Sequence, residues 1–132
     1  MKKLALLFLL QLLAGVIFSC QAQEAADEAK TTELKAMAKG VVEMLAKKDY
    51  DGVFAKLDAA AQKQLPPNKL KDFWQSITSE VGPYQAIQDY EVKQGKIKTG
   101  IFMKCKFEKA NLVVRVVFNG EKQVTGLSID ES

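Results

Sequence analysis

Residues 101–118, which read IFMKCKFEKANLVVRVVF, decide the fold. Apolar and polar side chains alternate on both sides of Lys109-Ala110, the pattern of two half-buried β-strands. If Lys109-Ala110 is a two-residue hairpin loop, the apolar positions of the two strands lie opposite each other. The pairs are then Phe107 with Leu112, Cys105 with Val114, Met103 with Val116, and Ile101 with Phe118. Because a slip of one residue would turn all of them toward solvent, we predict that they form the inner face of an antiparallel sheet.

A further strand precedes this pair. From Tyr84 onward the helical period gives way to alternation, and Gln94-Gly95 has the composition of a tight turn. With that turn, the inner face of the first strand is predicted to carry Tyr84, Ala86, Gln88, Tyr90 and Val92. The inner face therefore gains polar groups from this strand.

The last predicted strand follows a turn at residues 119–120, and its apolar residues break the alternation. Val124 can share a face with Leu127 only if one residue between them is left out of the pairing. Glycine favours such bulges, and Thr125-Gly126 lies at the required place. We therefore predict a β-bulge there, in a four-stranded antiparallel meander.

Amphipathic helices precede the sheet. Residues 32–48 place apolar side chains at helical spacing, so they predict a first helix. A second helix, capped by Asp49 or Asp51, continues to the proline pair at residues 66–67.

The third predicted helix begins at an Asn68 cap, carries Trp74 on its apolar stripe and ends at Gly82-Pro83. All three helices must bury one face, and the inner face of the sheet is available. The sequence thus predicts an α+β fold, with three N-terminal helices on one face of a four-stranded antiparallel sheet. Residues 32–132 form this one domain.

The N-terminus is typical of a secretion signal. Lys2 and Lys3 precede an apolar run over residues 4–18, which is shorter than the roughly 20 residues of a membrane-spanning helix. Residues 16–20 resemble a bacterial lipobox, which makes residues 1–20 a lipoprotein signal and Cys20 the lipidated N-terminus. The alternative is ordinary cleavage after Ala22.

Residues 21–31 contain no large apolar side chain and are predicted to be a disordered tether. We expect export in either case. The product is a lipoprotein of the bacterial envelope that touches the membrane only through its lipid, or a periplasmic or secreted protein.

Composition excludes several classes of protein. Lysine and arginine exceed aspartate and glutamate by 19 to 16, and two of the lysines lie in the leader, so nucleic acid is not an expected partner. Histidine is absent, which removes the commonest general base and imidazole metal ligation. Cys105, the one cysteine outside the leader, belongs to the predicted core face and is expected to be inert. We therefore expect no catalytic residue, no metal site and no cofactor.

One candidate site is a cleft between the helices and the inner sheet face. Its candidate residues interrupt an otherwise aliphatic surface: Trp74, Tyr84, Gln88, Tyr90 and Thr99. Apolar pockets with a few polar groups are the usual form of a binding site, so the cleft suits a small apolar ligand. The alternative is a closed core in which the tyrosine hydroxyls reach the surface.

The outer sheet face is the second candidate. The predicted pairing puts Lys104 opposite Arg115 and Phe102 opposite Val117, with Ile87 beside Phe102. Opposed like charges are unfavourable, and the apolar side chains form a patch. Three interpretations remain: lysine stems cover the patch, a second copy packs sheet to sheet as a homodimer, or an anionic partner binds the cations.

Six segments together carry a family resemblance: Lys48–Phe54, Leu65–Leu70, Trp74, Val81–Tyr84, Phe118–Gly120 and Thr125–Leu127. They are similar to the domain-of-unknown-function 3887 family, within the nuclear-transport-factor-2-like, cystatin-like superfold. The resemblance implies helices wrapped on a curved antiparallel sheet. Relatives with that superfold include isomerases and dehydratases, whose pocket residues find no match here, and non-enzymatic ligand-binding or dimerising domains.

The leading hypothesis is therefore an exported, non-enzymatic domain, lipid-anchored, that binds a small ligand or another protein. The alternative is an isomerase- or dehydratase-like enzyme with a carboxylate or tyrosine of shifted pKa in the cleft. A third hypothesis is a purely structural component of the envelope.

Overall fold

The computed structural model describes residues 28–131. The predicted signal over residues 1–20, the Cys20 lipidation site and residues 21–27 of the predicted tether lie outside this range. Residues 28–31, which we expected in the disordered tether, are helical. The chain from Leu34 onward forms one compact unit.

The described residues form four helices and four strands. The helices are α1 over residues 28–46, α2 over Tyr50–Lys56, α3 over Ala59–Gln64 and α4 over Pro67–Val81. The strands are β1 over Tyr84–Gln94, β2 over Thr99–Phe107, β3 over Asn111–Phe118 and β4 over Val124–Glu131. The sheet is curved and open, with antiparallel neighbours in the order β1-β2-β3-β4. The predicted α+β class is thereby confirmed.

The second predicted helix is divided into α2 and α3. The Asp49 carboxylate caps α2 by accepting from the Gly52 N–H at 3.0 Å. Leu57 then adopts an extended conformation and bridges to Val124 of the sheet. Asp58 caps α3. The helix count differs from three because pairing with the sheet interrupts the helical run.

The two ends of α4 test the predicted cap at Asn68 and the predicted end at Gly82. Pro67 is the first helical residue and Pro66 the N-cap, so the predicted Asn68 cap is wrong. A proline at this place loses no hydrogen bond, since the first N–H groups of a helix have no internal partner. The predicted end at Gly82 is confirmed: its φ of 81° lies in the region that glycine adopts at least cost.

The predicted inner face of β2 and β3 is confirmed, but the pairing is shifted by two residues. All eight predicted inner residues are buried. The last pair between β2 and β3 is Lys106 with Asn111, so four residues, Phe107–Ala110, separate the paired positions, and a 2.8 Å bond from the Phe107 N–H to the Ala110 carbonyl closes the turn. Phe102 consequently lies opposite Arg115, and Lys104 opposite Val113. A shift of two keeps every side chain on its face, but the predicted partners are wrong on both faces; Leu112, for example, lies opposite Cys105 instead of Phe107.

Two bulges in β1 alter its predicted face. They fall between Tyr84 and Ala86 and between Ile87 and Asp89. Tyr84, Tyr90 and Val92 lie on the inner face as predicted. Ile87, predicted outside, pairs with Cys105 inside, whereas Ala86 and Gln88, predicted inside, are exposed. Each added residue reverses the alternation, which the sequence pattern of β1 did not reveal.

The predicted bulge in β4 is confirmed. Val124 pairs with Phe118 and Gly126 with Val117, which leaves Thr125 between them without a partner on β3. Val124 is therefore buried, and Leu127 and Ile129 return to the inner face. The β3–β4 loop is longer than the two predicted residues and spans 119–123.

The core lies between the inner sheet face and the helices. It combines α1 residues such as Val42 and Leu45, the α4 residues Leu70 and Trp74, and the inner side chains of all four strands. None of the helices described over residues 28–131 combines the length and apolar character needed to cross a membrane.

Candidate functional site

A groove of about 380 Å³ opens beside Trp74. It is lined by Ala46, Lys48, Tyr50, Trp74, Gln75, Thr78, Ser79, Pro83 and Tyr84, and we call it the Trp74 groove. The end of α1, the start of α2, one face of α4 and the start of β1 supply these residues. Its volume falls within the range of about 300–1,000 Å³ found for small-molecule sites.

Phe107 positions the two large rings of the groove. Its ring centroid lies 5.7 Å from that of Trp74 and 5.9 Å from that of Tyr84, in tilted and edge-on arrangements. Such geometries are the favourable ones for aromatic pairs. Only 4% of the Trp74 surface is exposed, so the indole forms part of the wall. The groove therefore has an aromatic wall held in place by the core.

The hydroxyl groups of the groove differ in what they bind. Thr78 Oγ1 donates to the Trp74 carbonyl at 3.0 Å, and Ser79 Oγ donates to the Ser76 carbonyl at 2.8 Å. Tyr50 Oη is buried and has no hydrogen-bond partner among residues 28–131. An unmet group of this kind costs about 1–3 kcal/mol. A ligand acceptor that reached this oxygen after a movement of the Tyr50 ring would remove that cost.

Electrostatics favour a neutral or anionic occupant. Lys48 is the one charged residue among the described residues that line the groove, and none of them is a carboxylate. Burial raises the pKa of Tyr50. The pKa of Tyr84 is raised mainly by burial and to a smaller extent by the negative charges of neighbouring groups. Both phenols therefore stay protonated at neutral pH and act as hydrogen-bond donors rather than bases.

The structure brings together two of the five predicted cleft residues. Trp74 and Tyr84 share the groove. Tyr90 lies further along β1, opposite Met103, with Lys35 Nζ 5.8 Å from its ring centre. Thr99 is buried at the start of β2, opposite Gln94 and Phe118. Gln88 is exposed, so its predicted position in the cleft is wrong.

A second cavity, of about 170 Å³, was missed by the sequence analysis. It is lined by Met37, Gly40, Val41, Met44, Lys56, Phe118 and Val124, and we call it the Gly40 cavity. A Cβ added at Gly40 would meet no atom within 4 Å. The one feature of the sequence that points to this cavity is Gly40 inside an amphipathic helix, because glycine there lowers helix stability by about 1 kcal/mol relative to alanine. The apolar residues around it are indistinguishable from ordinary core positions in the sequence.

The outer sheet face differs from its predicted form. Ile87 lies on the other face, and Val117 is half-buried opposite Gly100 and Gly126. Lys93 Nζ lies 4.7 Å from the Phe102 ring centre, where a cation and the ring face attract each other. This contact supports the interpretation that lysine side chains cover the apolar patch.

Lys104 and Arg115 of the outer face do not lie opposite each other. Lys104 lies between Asp89 and Val113, and Arg115 lies between Phe102 and Ser128. The predicted opposition of Lys104 and Arg115 is therefore wrong. A hollow of about 140 Å³ is lined by Asp89, Tyr90, Glu91, Phe102, Lys104 and Val113.

Cys105 is a buried, free thiol on the inner face. Burial raises its pKa to about 11, so the thiol is protonated at neutral pH and is a poor nucleophile. Within residues 28–131, no three cysteine or acidic side chains cluster in a way that would hold a metal ion.

The fold is that of an α+β domain with helices on one face of an open antiparallel sheet, and it contains the Trp74 groove and the Gly40 cavity. Residues 38–127 match the sequence model of a family described as a protein of unknown function, DUF3887. Because the match covers more than half of the chain, the protein belongs to this family. No curated protein and no solved structure matches the chain significantly.

Proposed function

We propose that this protein is an exported, non-enzymatic binding protein that takes a small, largely apolar molecule in the Trp74 groove. The observation that carries the proposal is the pairing of an aromatic wall with a buried, unpartnered donor, Tyr50 Oη. Binding sites commonly combine apolar walls with a few fixed polar groups.

The ligand class follows from the lining. It is a neutral or anionic molecule that buries an apolar surface against Trp74 and Tyr84 and carries a hydrogen-bond acceptor for Tyr50. Lys48 at the groove adds attraction for an anion. A cationic ligand would find no carboxylate among the lining residues.

A binding role is favoured over catalysis by the same residues. Acid–base chemistry needs two groups whose pKa values are poised near the working pH. Because the pKa values of Tyr50 and Tyr84 are raised, both phenols are weak acids, and little of either is in the deprotonated form that could act as a base. The isomerase- or dehydratase-like alternative therefore has no partner group in the Trp74 groove.

Export and anchoring rest on the N-terminal sequence. Lys2, Lys3 and the apolar residues 4–18 support a secretion signal, and the lipobox-like residues before Cys20 support lipidation. A lipid at Cys20 would hold the binding domain at an envelope membrane.

The test uses Trp74, the chain's single tryptophan, as the reporter. The full chain, held in lipid nanodiscs, is titrated with the aromatic anion 8-anilinonaphthalene-1-sulfonate, and energy transfer from Trp74 is measured. Ala46→Leu adds bulk inside the groove, and Ala36→Leu adds the same bulk at an exposed position of α1 outside it.

Saturable transfer in the wild type is expected. Ala46→Leu should weaken the affinity about tenfold, which corresponds to roughly 1.4 kcal/mol, while Ala36→Leu should leave it unchanged. Absence of saturable transfer, or equal affinity in all three proteins, would overturn the proposal.

A further inference from the structure

The Gly40 cavity lies apart from the Trp74 groove and shares no lining residue with it. Three of its walls are fixed by secondary structure: α1 contributes one face, and Phe118 and Val124 flank the loop that joins β3 to β4. Phe118 and Val124 are paired with each other and fully buried. These walls cannot close on the cavity without disturbing the sheet.

Gly40 leaves space where any other residue would place a side chain. A Cβ at this position would meet no atom within 4 Å, and Gly40 φ is not in the left-handed region. Neither backbone conformation nor close packing therefore requires glycine there. The space it leaves is the feature that distinguishes this helix position from its neighbours.

The remaining walls are adaptable. Met37 and Met44 lie on the same side of α1 and are only partly buried, although both pack against the core. Methionine side chains are flexible and polarizable, and they are frequent on surfaces that adapt to ligands. The cavity can therefore adjust to a chain-like hydrocarbon.

Lys56 is the one charged residue of the lining. Within residues 28–131, no carboxylate lies within ion-pair distance of its amine. An ammonium group beside an apolar cavity favours an occupant with an anionic end, since charge and apolar surface are then both matched.

The volume sets the size of the occupant. Cavities of about 150 Å³ with apolar walls take up one benzene molecule, so about 170 Å³ suits a hydrocarbon segment of about six carbons. A long acyl chain exceeds this space.

We infer that the Gly40 cavity is a binding site for a free aliphatic monocarboxylate of about six carbons, with its chain between Met37 and Met44 and its carboxylate at Lys56. This site is independent of the proposed function of the Trp74 groove.

Hexanoate is the probe, and the methionine methyl groups are the reporters. The full chain, labelled with ¹³C at the methionine methyls and held in lipid nanodiscs, is titrated with hexanoate and, separately, with hexanol. Met103, which is fully buried on the inner sheet face, serves as the internal control. Saturable shifts of the Met37 and Met44 signals with an unchanged Met103 signal are expected.

Three variants test the assignment. Gly40→Leu fills the cavity and should abolish the shifts, and Gly40→Ala, a smaller change that is easily tolerated in a helix, should weaken binding at least about threefold. Ala36→Leu, exposed on the same helix, should bind as the wild type does. Lys56→Gln should weaken hexanoate binding about tenfold while hexanol binding stays within about twofold.

The proposed site would be overturned if the wild type showed no saturable shifts. It would also be overturned if folded Gly40→Ala and Gly40→Leu variants both bound hexanoate with the wild-type affinity. Equal losses for hexanoate and hexanol in Lys56→Gln would overturn the choice of an anionic ligand.

Discussion

Leu57 forms an isolated parallel bridge with Val124, and the N–H of the next residue, Asp58, donates to the Val124 carbonyl at 2.8 Å. This contact ends α2, starts α3 and attaches both short helices to the first residue of β4. Neither helix is long enough to be stable alone, because helix nucleation is costly. Their stability therefore depends on the attachment to the sheet.

Asp58 is expected to make the fold sensitive to acid. Hydrogen bonds hold the pKa of the Asp58 carboxyl below its usual range; the largest effect comes from the N–H of Ala61 and the next from the Thr125 hydroxyl. A carboxyl with a lowered folded-state pKa stabilises the fold above its unfolded pKa of about 3.9, and this stabilisation is lost as the pH falls further. Urea unfolding should show a smaller acid-dependent loss in Asp58→Asn than in the wild type. Asp72→Asn, exposed on α4, is the control, and an equal loss in the three proteins would contradict the assignment.

Gly40 and Gly52 should respond in opposite ways to alanine. Gly40→Ala enters open space in a helix and should raise the free energy of unfolding by about 1 kcal/mol. A Cβ at Gly52 would lie 2.8 Å from Asp49 Cγ, so Gly52→Ala should displace the α2 cap and lower stability by about 1 kcal/mol. Chemical denaturation of the two variants measures both values. A loss of stability in Gly40→Ala would show that the Gly40 cavity is not open to a side chain.

Cys105 should be unreactive in the folded protein. Because burial raises its pKa to about 11, a disulfide reagent at pH 8 should modify the thiol only after unfolding. A colorimetric thiol assay with and without denaturant measures this directly. Rapid modification without denaturant would mean that the inner sheet face opens to solvent.

Lipidation can be tested with matched cysteine variants. Cells that express the wild type are supplied with radiolabelled palmitate, and the purified protein should carry the label. Cys20→Ala should lose it and Cys105→Ala should retain it. A mature N-terminus at Gln23 without label would instead establish ordinary cleavage after Ala22.

The outer sheet face yields a prediction about oligomeric state. Since Lys93 already covers the Phe102 ring, we expect a monomer whose mass in mild detergent is the same for the wild type and Phe102→Glu. Sedimentation measures the mass. A wild-type dimer that Phe102→Glu dissociates would instead support sheet-to-sheet pairing.

The groove and cavity show where sequence reasoning reached its limit. Trp74 and Tyr84 were identifiable because Trp74 lies on the apolar stripe of α4 and Tyr84 is the first inner residue of β1. Tyr50 and Lys48 were not identified, because their role depends on how the α1–α2 junction meets α4. The Gly40 cavity was hidden for a related reason: an unfilled space among apolar residues leaves no pattern of its own.

The sequence by itself determined the α+β class, the buried face of β2 and β3, the end of α4 at Gly82 and the bulge at Thr125. Each follows from a local rule, the two-residue period of a strand or the conformational freedom of glycine. Tertiary structure decided the strand pairing, the bulges of β1 and the division at Leu57. The backbone N–H groups of Glu108 and Lys109 donate to the carbonyls of Pro83 and Val81 at the end of α4, so a distant segment that the hairpin sequence does not specify holds the loop.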